Sequence, residues 1–131
     1  MIKTDQLNNL FLKWKESKPV YRISFSEDGI INEELWNGAK RKIVFLFKER
    51  NLGEGDFREI LNKDKNPWPT VGCWSYGLQN VTSSFLPDFT KARENEKDSC
   101  RSVAIVNFKK APGEGSSNME KIQEVASSDR E

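Results

Sequence analysis

The chain has 131 residues, of which 36% are hydrophobic, and its eight Phe and four Trp supply enough apolar surface for one folded core. Its 21 basic and 20 acidic residues nearly cancel, so a nucleic acid partner is expected only if local charge clusters indicate one. The chain has no histidine, which excludes Ser–His and Cys–His nucleophiles and the commonest metal ligand.

Cysteine use and hydropathy indicate the compartment. Cys73 and Cys100 have the spacing of neither a disulfide framework nor a metal knuckle, which favours reduced thiols. The longest apolar run, Ile43 to Phe47, is far shorter than the ~20 residues of a membrane span, and Met1 to Leu10 is too polar for a signal peptide. We therefore expect a cytoplasmic protein that contacts no membrane and needs no metal or other cofactor.

The first 40 residues predict a helix followed by short extended and helical pieces. The helix begins at Thr4 and ends just before Pro19, because a residue that precedes proline is forced out of the helical region. Its apolar stripe has the spacing of an amphipathic helix and consists of Leu7, Leu10, Phe11 and Trp14. Alternation from Val20 to Phe25 predicts an extended segment, Ser26 to Gly29 predicts a turn, and Asn32 can cap a short helix.

Two apolar runs predict the strands of a core that occupies residues 41–131. Ile43 to Phe47 and Val103 to Val106 show no alternation, which is typical of strands that a parallel sheet buries on both faces. Charged or amide residues and then glycines follow each run. Because ligands bind beyond the carboxyl ends of such strands, we expect a site at these two exits.

The remaining stretches of the core predict helices and one loop. Asp56 to Lys63 and Cys73 to Phe85 suit helices, Asp88 to Ser102 is charged and either helical or irregular, and a capping box at Ser117 to Glu120 opens a last helix. Ala111 to Gly115 has the composition of a loop. The sequence therefore predicts one α/β domain over residues 1–131, with helices on both faces of a short parallel sheet, a three-layer α/β/α fold.

The exit of the first strand carries the first candidate site. Lys48, Arg50 and Asn51 suit contacts to nucleic acid, since cations beside a glycine-containing loop are well placed for phosphate. Glu49 can orient a catalytic water or accept a hydrogen bond from the edge of a base. The alternative interpretation is a solvated, charged strand exit with no ligand.

The exit of the second strand carries the second candidate site. Asn107 offers two donors and one acceptor at the end of an apolar strand, and such an amide suits the edge of a nucleobase. Lys109 and Lys110 can hold phosphates as point charges. A turn with a solvated lysine pair is the alternative. Trp74 can stack on a base, although an aromatic residue among prolines and glycines also suits ordinary packing.

At these exits the sequence resembles the uracil-DNA glycosylase superfamily, in particular its uncharacterised bacterial and phage-borne relatives. Ile43 to Asn51 is similar to the family's first strand and water-positioning loop, with Glu49 near the acidic position. Val106 to Gly113 is similar to a second motif, in which a strand-end asparagine, here Asn107, holds the flipped base. The resemblance implies a glycosylase-like fold that lacks the family's C-terminal part, including a late loop that contains histidine. It also implies DNA or a nucleobase as the partner.

Three functional hypotheses follow. The first is a nucleic-acid- or nucleobase-binding domain of glycosylase type, in which Glu49 and Asn107 form the catalytic pair and hydrolysis is left open. The second is a non-enzymatic interaction module, or a shortened relative that dimerises or binds a protein partner through an exposed sheet edge. The third is that the chain is a fragment of a longer enzyme.

Overall fold

The computed structural model describes residues 3–51, 55–63, 68–113 and 116–129. Within these ranges the protein is mixed α/β, with a small three-stranded sheet and eight helices. The helices are α1 (Lys3–Ser17), α2 (Pro19–Ile23), α3 (Glu33–Gly38), α4 (Phe57–Lys63), α5 (Pro69–Asn80), α6 (Phe89–Glu94), α7 (Glu96–Arg101) and α8 (Met119–Ser128). The strands are β1 (Gly29–Ile30), β2 (Val44–Asn51) and β3 (Ala104–Gly113).

The chain divides into two compact units. Unit 1 consists of Met1–Gly29, Leu46–Phe57 and Val106–Glu131, and unit 2 of Ile30–Phe45 and Arg58–Ile105. Among the helices of the described ranges, none combines the length and the apolar composition that crossing a bilayer requires. The single domain stays a prediction.

The sheet has the order β1-β3-β2, so β3 is the central strand. Strands β2 and β3 run parallel, because the Ala104 amide donates to the Ile43 carbonyl near their starts while Glu49 meets Lys109 further along both. Parallel pairing of the two apolar strands is what the sequence predicted. Antiparallel contacts join the segment before β1 to β3, since Ser26 pairs with Lys110 and Asp28 with Asn107.

Burial on both faces holds for the start of β3 but is wrong for β2. Val103, Ala104 and Ile105 are buried, whereas Val44 and Leu46 are more than half exposed. The residues of β2 alternate between exposed and half-buried up to Lys48, which is the pattern of an edge strand with one open face. An apolar run does not reveal how many neighbours a strand has.

Both strands also extend further than predicted. Strand β2 continues to Asn51 and β3 continues to Gly113, so the predicted loop over 111–115 is strand up to residue 113. Both Glu49 and Asn107 therefore lie within strands and not in the loops after the strands. Gly53 of the first exit, and Glu114 and Gly115 of the second, lie outside the described residues.

Several helix boundaries also differ from prediction. The segment from Val20 is helix α2 and not an extended strand, because Pro19 occupies its first turn, where the fixed φ of proline suits a helix. Helix α5 begins at Pro69 and ends at Asn80, five residues before the predicted end at Phe85. Asn118 caps α8 instead of Ser117, and its side chain accepts from the Lys121 amide at 3.0 Å. The predicted Asn32 cap is confirmed, with the Leu35 amide 3.0 Å from its side-chain oxygen.

Unit 1 has an aromatic core built on α1 and α2. Phe11, Tyr21, Phe25 and Ala111 are buried together, and Leu7, Trp14 and Val125 pack against them. Phe25 meets Phe11 and Tyr21 edge-on, with ring centroids 5.2 and 5.1 Å apart. These contacts hold α1, α2 and α8 around the end of β3, where the candidate site lies.

Unit 2 is organised by close packing of α5 on α7. A Cβ on Gly72 would stand only 2.1 Å from the Glu96 carbonyl oxygen, so only glycine permits this approach. Ser75 is buried on the same helix and donates to the Val71 carbonyl at 2.6 Å. Cys100 and Val103, at the end of α7 and before β3, are fully buried.

Candidate functional site

The carboxyl halves of β2 and β3 bring Glu49 and Lys109 together. The Lys109 Nζ lies 2.5 Å from Glu49 Oε2, and the Glu49 side chain is only 5% exposed. A buried carboxylate needs a partner to remain charged, and the lysine supplies it. The parallel arrangement of β2 and β3 accounts for the meeting, because residues equally far along two such strands are neighbours.

Gly113 makes room for the Glu49 carboxylate. A Cβ at residue 113 would lie 2.1 Å from Glu49 Cδ and 2.2 Å from Oε1. Any side chain at this position would displace the acid or the end of β3. The sequence placed Gly113 only in the predicted loop over 111–115 and at the end of the second motif, and its contact with Glu49 was not predicted.

A cavity of about 220 Å³ opens beside this pair. It is lined by Glu49, Lys109, Pro112, Gly113, Ser116, Asn118 and Lys121. Most of these side chains are polar or charged, and Lys121 adds a second ammonium group that the sequence did not single out. The cavity therefore offers one carboxylate and two cations to a small polar ligand.

Asn107 and Lys110 belong to a different, buried cluster centred on Asp28. The Asp28 carboxylate accepts from the Asn107 backbone amide at 2.7 Å and from its side-chain amide at 3.1 Å. The Lys110 ammonium lies 2.8 and 2.7 Å from the two carboxylate oxygens. All three side chains are buried, so Asn107 and Lys110 serve the structure of unit 1 rather than a solvent-borne ligand.

Asp28 pairs with the central strand β3 through its side chain and not through its backbone carbonyl. Its side chain stands where a backbone carbonyl of a neighbouring strand would otherwise accept from the amide of Asn107. Asp28 was predicted only as a turn residue before Gly29. A side-chain acceptor of this kind depends on tertiary pairing over 79 residues of sequence, and no local pattern signals it.

The basic and amide residues around Glu49 differ in their surroundings. Lys48 and Asn51 are exposed. Arg50 is half-buried, donates to the Gly55 carbonyl at 3.2 Å and lies 5.1 Å from the centre of the Phe57 ring. Lys48 and Asn51 are therefore accessible to a ligand, while Arg50 is anchored within unit 1.

Trp74 belongs to unit 2, on helix α5. Its ring stacks on Phe45, with centroids 6.4 Å apart and planes 24° apart, and it is 57% exposed. Two adjoining apolar cavities, described below, meet at this side chain. The other candidate residues belong to unit 1.

Burial raises the pKa of two side chains outside the cavity, Tyr21 and Cys73. Burial, and a hydrogen bond to Asp129, raise the pKa of Tyr21 well above its ordinary value. Desolvation and the adjacent Glu96 carboxylate raise the pKa of the Cys73 thiol. Both groups therefore favour their protonated forms at neutral pH.

Among the described residues, no cluster of three or more Cys, Asp and Glu side chains has the arrangement of a metal site. No protein-family model matches the sequence, and neither a curated protein nor a solved structure matches it.

Proposed function

We propose that this chain binds a nucleobase, free or within a nucleic acid, in the cavity beside Glu49, Lys109 and Lys121. One observation carries the proposal: a carboxylate and two ammonium groups surround a cavity of about 220 Å³. This volume is below the ~300–1,000 Å³ of sites for larger ligands, so it suits one ring better than a whole nucleotide.

The chemistry of the cavity complements the edge of a pyrimidine imide. A carboxylate accepts from a ring N–H, and ammonium groups donate to ring carbonyls or to a neighbouring phosphate. Lys48 precedes Glu49 on β2, but successive side chains of a strand point to opposite faces, so Lys48 lies outside the cavity. The resemblance to the uracil-DNA glycosylase superfamily, and to its three-layer fold, is part of this proposal, and the parallel pairing of β2 with β3 supports it.

The roles of the residues differ from those that the resemblance implies. Asn107 donates to Asp28 with both its backbone and side-chain amides, so we assign it to positioning β3 rather than to the base edge. The Glu49 carboxylate is paired with the Lys109 ammonium at 2.5 Å, so we do not assign it the activation of a water. The proposal is therefore binding without hydrolysis.

Fluorescence anisotropy with labelled single-stranded oligonucleotides tests this function. Uracil-containing, abasic and thymine-containing strands are compared at low salt, where phosphate contacts are strongest. Lys121→Ala should weaken binding by about tenfold, equivalent to ~1.4 kcal/mol. The matched control is Lys63→Ala, which removes an exposed lysine in a surface pair with Glu59.

Two results would contradict the proposal. One is the absence of binding to free uracil and to every oligonucleotide at low salt. The other is an equal loss with Lys63→Ala and Lys121→Ala, which would indicate nonspecific attraction to positive charge. Excision of uracil by the native chain would instead overturn the assignment of binding without hydrolysis.

A non-enzymatic interaction module is the second candidate function, and exposed apolar surface favours it. Strand β2 is an edge strand, whose backbone groups could pair with another chain, and it exposes Val44 and Leu46 on one face. Its exposed Lys48 is a residue type that discourages edge-to-edge pairing. A larger apolar surface lies on unit 2.

A further inference from the structure

Two adjoining cavities of about 430 and 440 Å³ form one groove on unit 2, here named the α5–α6 groove. They share Cys73, Trp74, Gly77 and Pro87. Leu78 and Leu86 line one end, and Phe89 and Arg93 line the other. The groove therefore follows one face of α5, the segment after it, and the start of α6.

The groove exposes large apolar side chains to an unusual degree. Trp74 is 57%, Leu78 48%, Leu86 83% and Phe89 71% exposed. With side chains of this size, the four contribute on the order of 500 Å² of apolar surface. A patch of that size is as large as the largest one on an ordinary monomer, and such patches mark interaction sites.

The area matches the apolar part of a stable protein interface. A standard interface buries about 800 Å² on each partner, and somewhat more than half of that area is apolar. Trp74 and Phe89 are also of the residue types that interface cores favour. The groove alone therefore supplies the apolar part of such an interface.

The charges at the edge of the groove favour a second copy of the chain as its occupant. Lys91 lies 2.9 Å from Glu94, and Arg93 lies 3.0 Å from Glu96. Of these four residues, Arg93 lines the groove, and the exposed Asp88 stands directly before Phe89. Residues of both signs therefore surround the groove, and their charges do not select a strongly acidic partner such as a nucleic acid. A twofold axis can place the cations of one copy opposite the acids of the other, since symmetric interfaces are self-complementary.

We propose that two copies of the chain associate through their α5–α6 grooves. Leu86 and Phe89 of each copy enter the groove of the other beside Trp74. Phe45 of β2 also lines the groove, whereas no lining residue is shared with the Glu49–Lys109 cavity.

Sedimentation velocity over a range of concentrations tests the proposal on the full chain. The native protein should sediment as a dimer at micromolar concentration, and Leu86→Glu should raise the dissociation constant at least about tenfold. Ile23→Glu is the matched control, because Ile23 is 84% exposed but belongs to unit 1. Since both residues are exposed, both variants should retain the native unfolding transition, which circular dichroism can verify.

Cys73 provides a second measurement. It is half-buried in the groove, whereas Cys100 is fully buried, so a maleimide should modify Cys73 first. Modification should be slower at concentrations where the dimer forms, and the attached group should then prevent association. A native chain that stays monomeric at about 100 µM would overturn the proposal. A dimer that Leu86→Glu leaves unchanged would overturn it as well.

Discussion

Gly72 and Gly77 of α5 have opposite structural roles although they lie on one helix. A Cβ on Gly72 would collide with the Glu96 backbone, and a Cβ on Gly77 would meet nothing within 4 Å. Gly72→Ala should therefore lower the free energy of unfolding by about 1–3 kcal/mol through overpacking. Gly77→Ala should raise it by about 0.5–1 kcal/mol, because alanine is the better helix former.

Urea denaturation of the two variants checks this pair. If Gly72→Ala and Gly77→Ala changed the stability equally and in the same direction, α5 and α7 would not pack as closely at Gly72 as described above.

Asp28 and Lys110 form a buried ion pair, so removing one partner should cost more than removing both. Asp28→Ala leaves the Lys110 ammonium and both Asn107 amides without their shared acceptor. We expect a loss of about 3–5 kcal/mol, the usual cost of an uncompensated buried charge. Adding Lys110→Met to Asp28→Ala should restore part of that loss, since no buried charge then remains.

A double-mutant cycle measured by chemical denaturation provides the test. Additive losses in the double variant would mean that the two charges are not coupled, contrary to the observed distances.

At the residue scale, the sequence indicated which polar side chains lie near the strand ends, but not which residues they contact. The sequence predicted that Glu49 and Asn107 meet at a common edge of two parallel strands, whereas Glu49 contacts Lys109 and Asn107 contacts Asp28. The roles of Asn107 and Lys110 were not predictable, because their partner Asp28 lies some 80 residues earlier in a segment that was predicted only as a turn. Gly113 was visible as a glycine, but its contact with Glu49 depends on the register of two strands.

Helices α2 and α8 are joined by polar contacts around Asp129. The Tyr21 hydroxyl donates to Asp129 Oδ2 at 2.6 Å, and Lys18 Nζ lies 2.6 Å from Oδ1. Because burial and this hydrogen bond raise the pKa of Tyr21, the folded chain keeps a proton that the unfolded chain releases near pH 10. The associated stability is therefore fully present below pH 10 and is lost as the pH rises above it.

Comparison of Tyr21→Phe with the native chain isolates this effect. At pH 8 the variant should be less stable by about 1–2 kcal/mol, because it lacks a hydrogen bond to a carboxylate. Above pH 10 the difference should shrink, as only the native chain then loses stability through this group. Urea midpoints at pH 8 and pH 11 check the prediction, and a difference that is constant with pH would contradict it.

At the element scale, apolar runs predicted that β2 and β3 exist and run parallel, but not where they stand in the sheet. β2 is an edge strand and β3 the central one, which depends on the pairing of β3 with the short β1. Strand β1 has only two residues, too few for any pattern. The segment from Val20 to Phe25 was predicted as extended, because the polarity of so short a run fits both the helical and the strand periodicity. Pro19 in the first turn favours the helix.

The composition of the whole chain predicts an unusually flat response to pH around neutrality. Without histidine, no side chain has its ordinary pKa between about 5 and 8. Burial and Glu96 raise the pKa of Cys73 and so keep this thiol protonated there as well. Stability and dimer formation should therefore stay nearly constant from pH 6 to pH 8, as thermal unfolding and sedimentation can show. A marked change of either quantity across this range would identify a titrating group that the structure does not explain.

At the scale of the whole molecule, mixed α/β architecture follows from the sequence, whereas the division into two units does not. The boundaries of these units fall inside β1, β2, α4 and β3, and two of them divide an apolar run, after Phe45 and after Ile105. Hydropathy along the chain cannot mark such a boundary, because it depends on contacts between distant residues.

The contacts of unit 1 also constrain when it forms during translation. Asp28 cannot form its ion pair before Lys110 has been synthesised. Tyr21 and Lys18 cannot contact Asp129 until the ribosome has added about a hundred more residues. Until then the nascent chain carries a hydrated aspartate and an exposed aromatic cluster. Chaperones that recognise aromatic segments should therefore engage the first helices of this protein until Asp129 has left the ribosome.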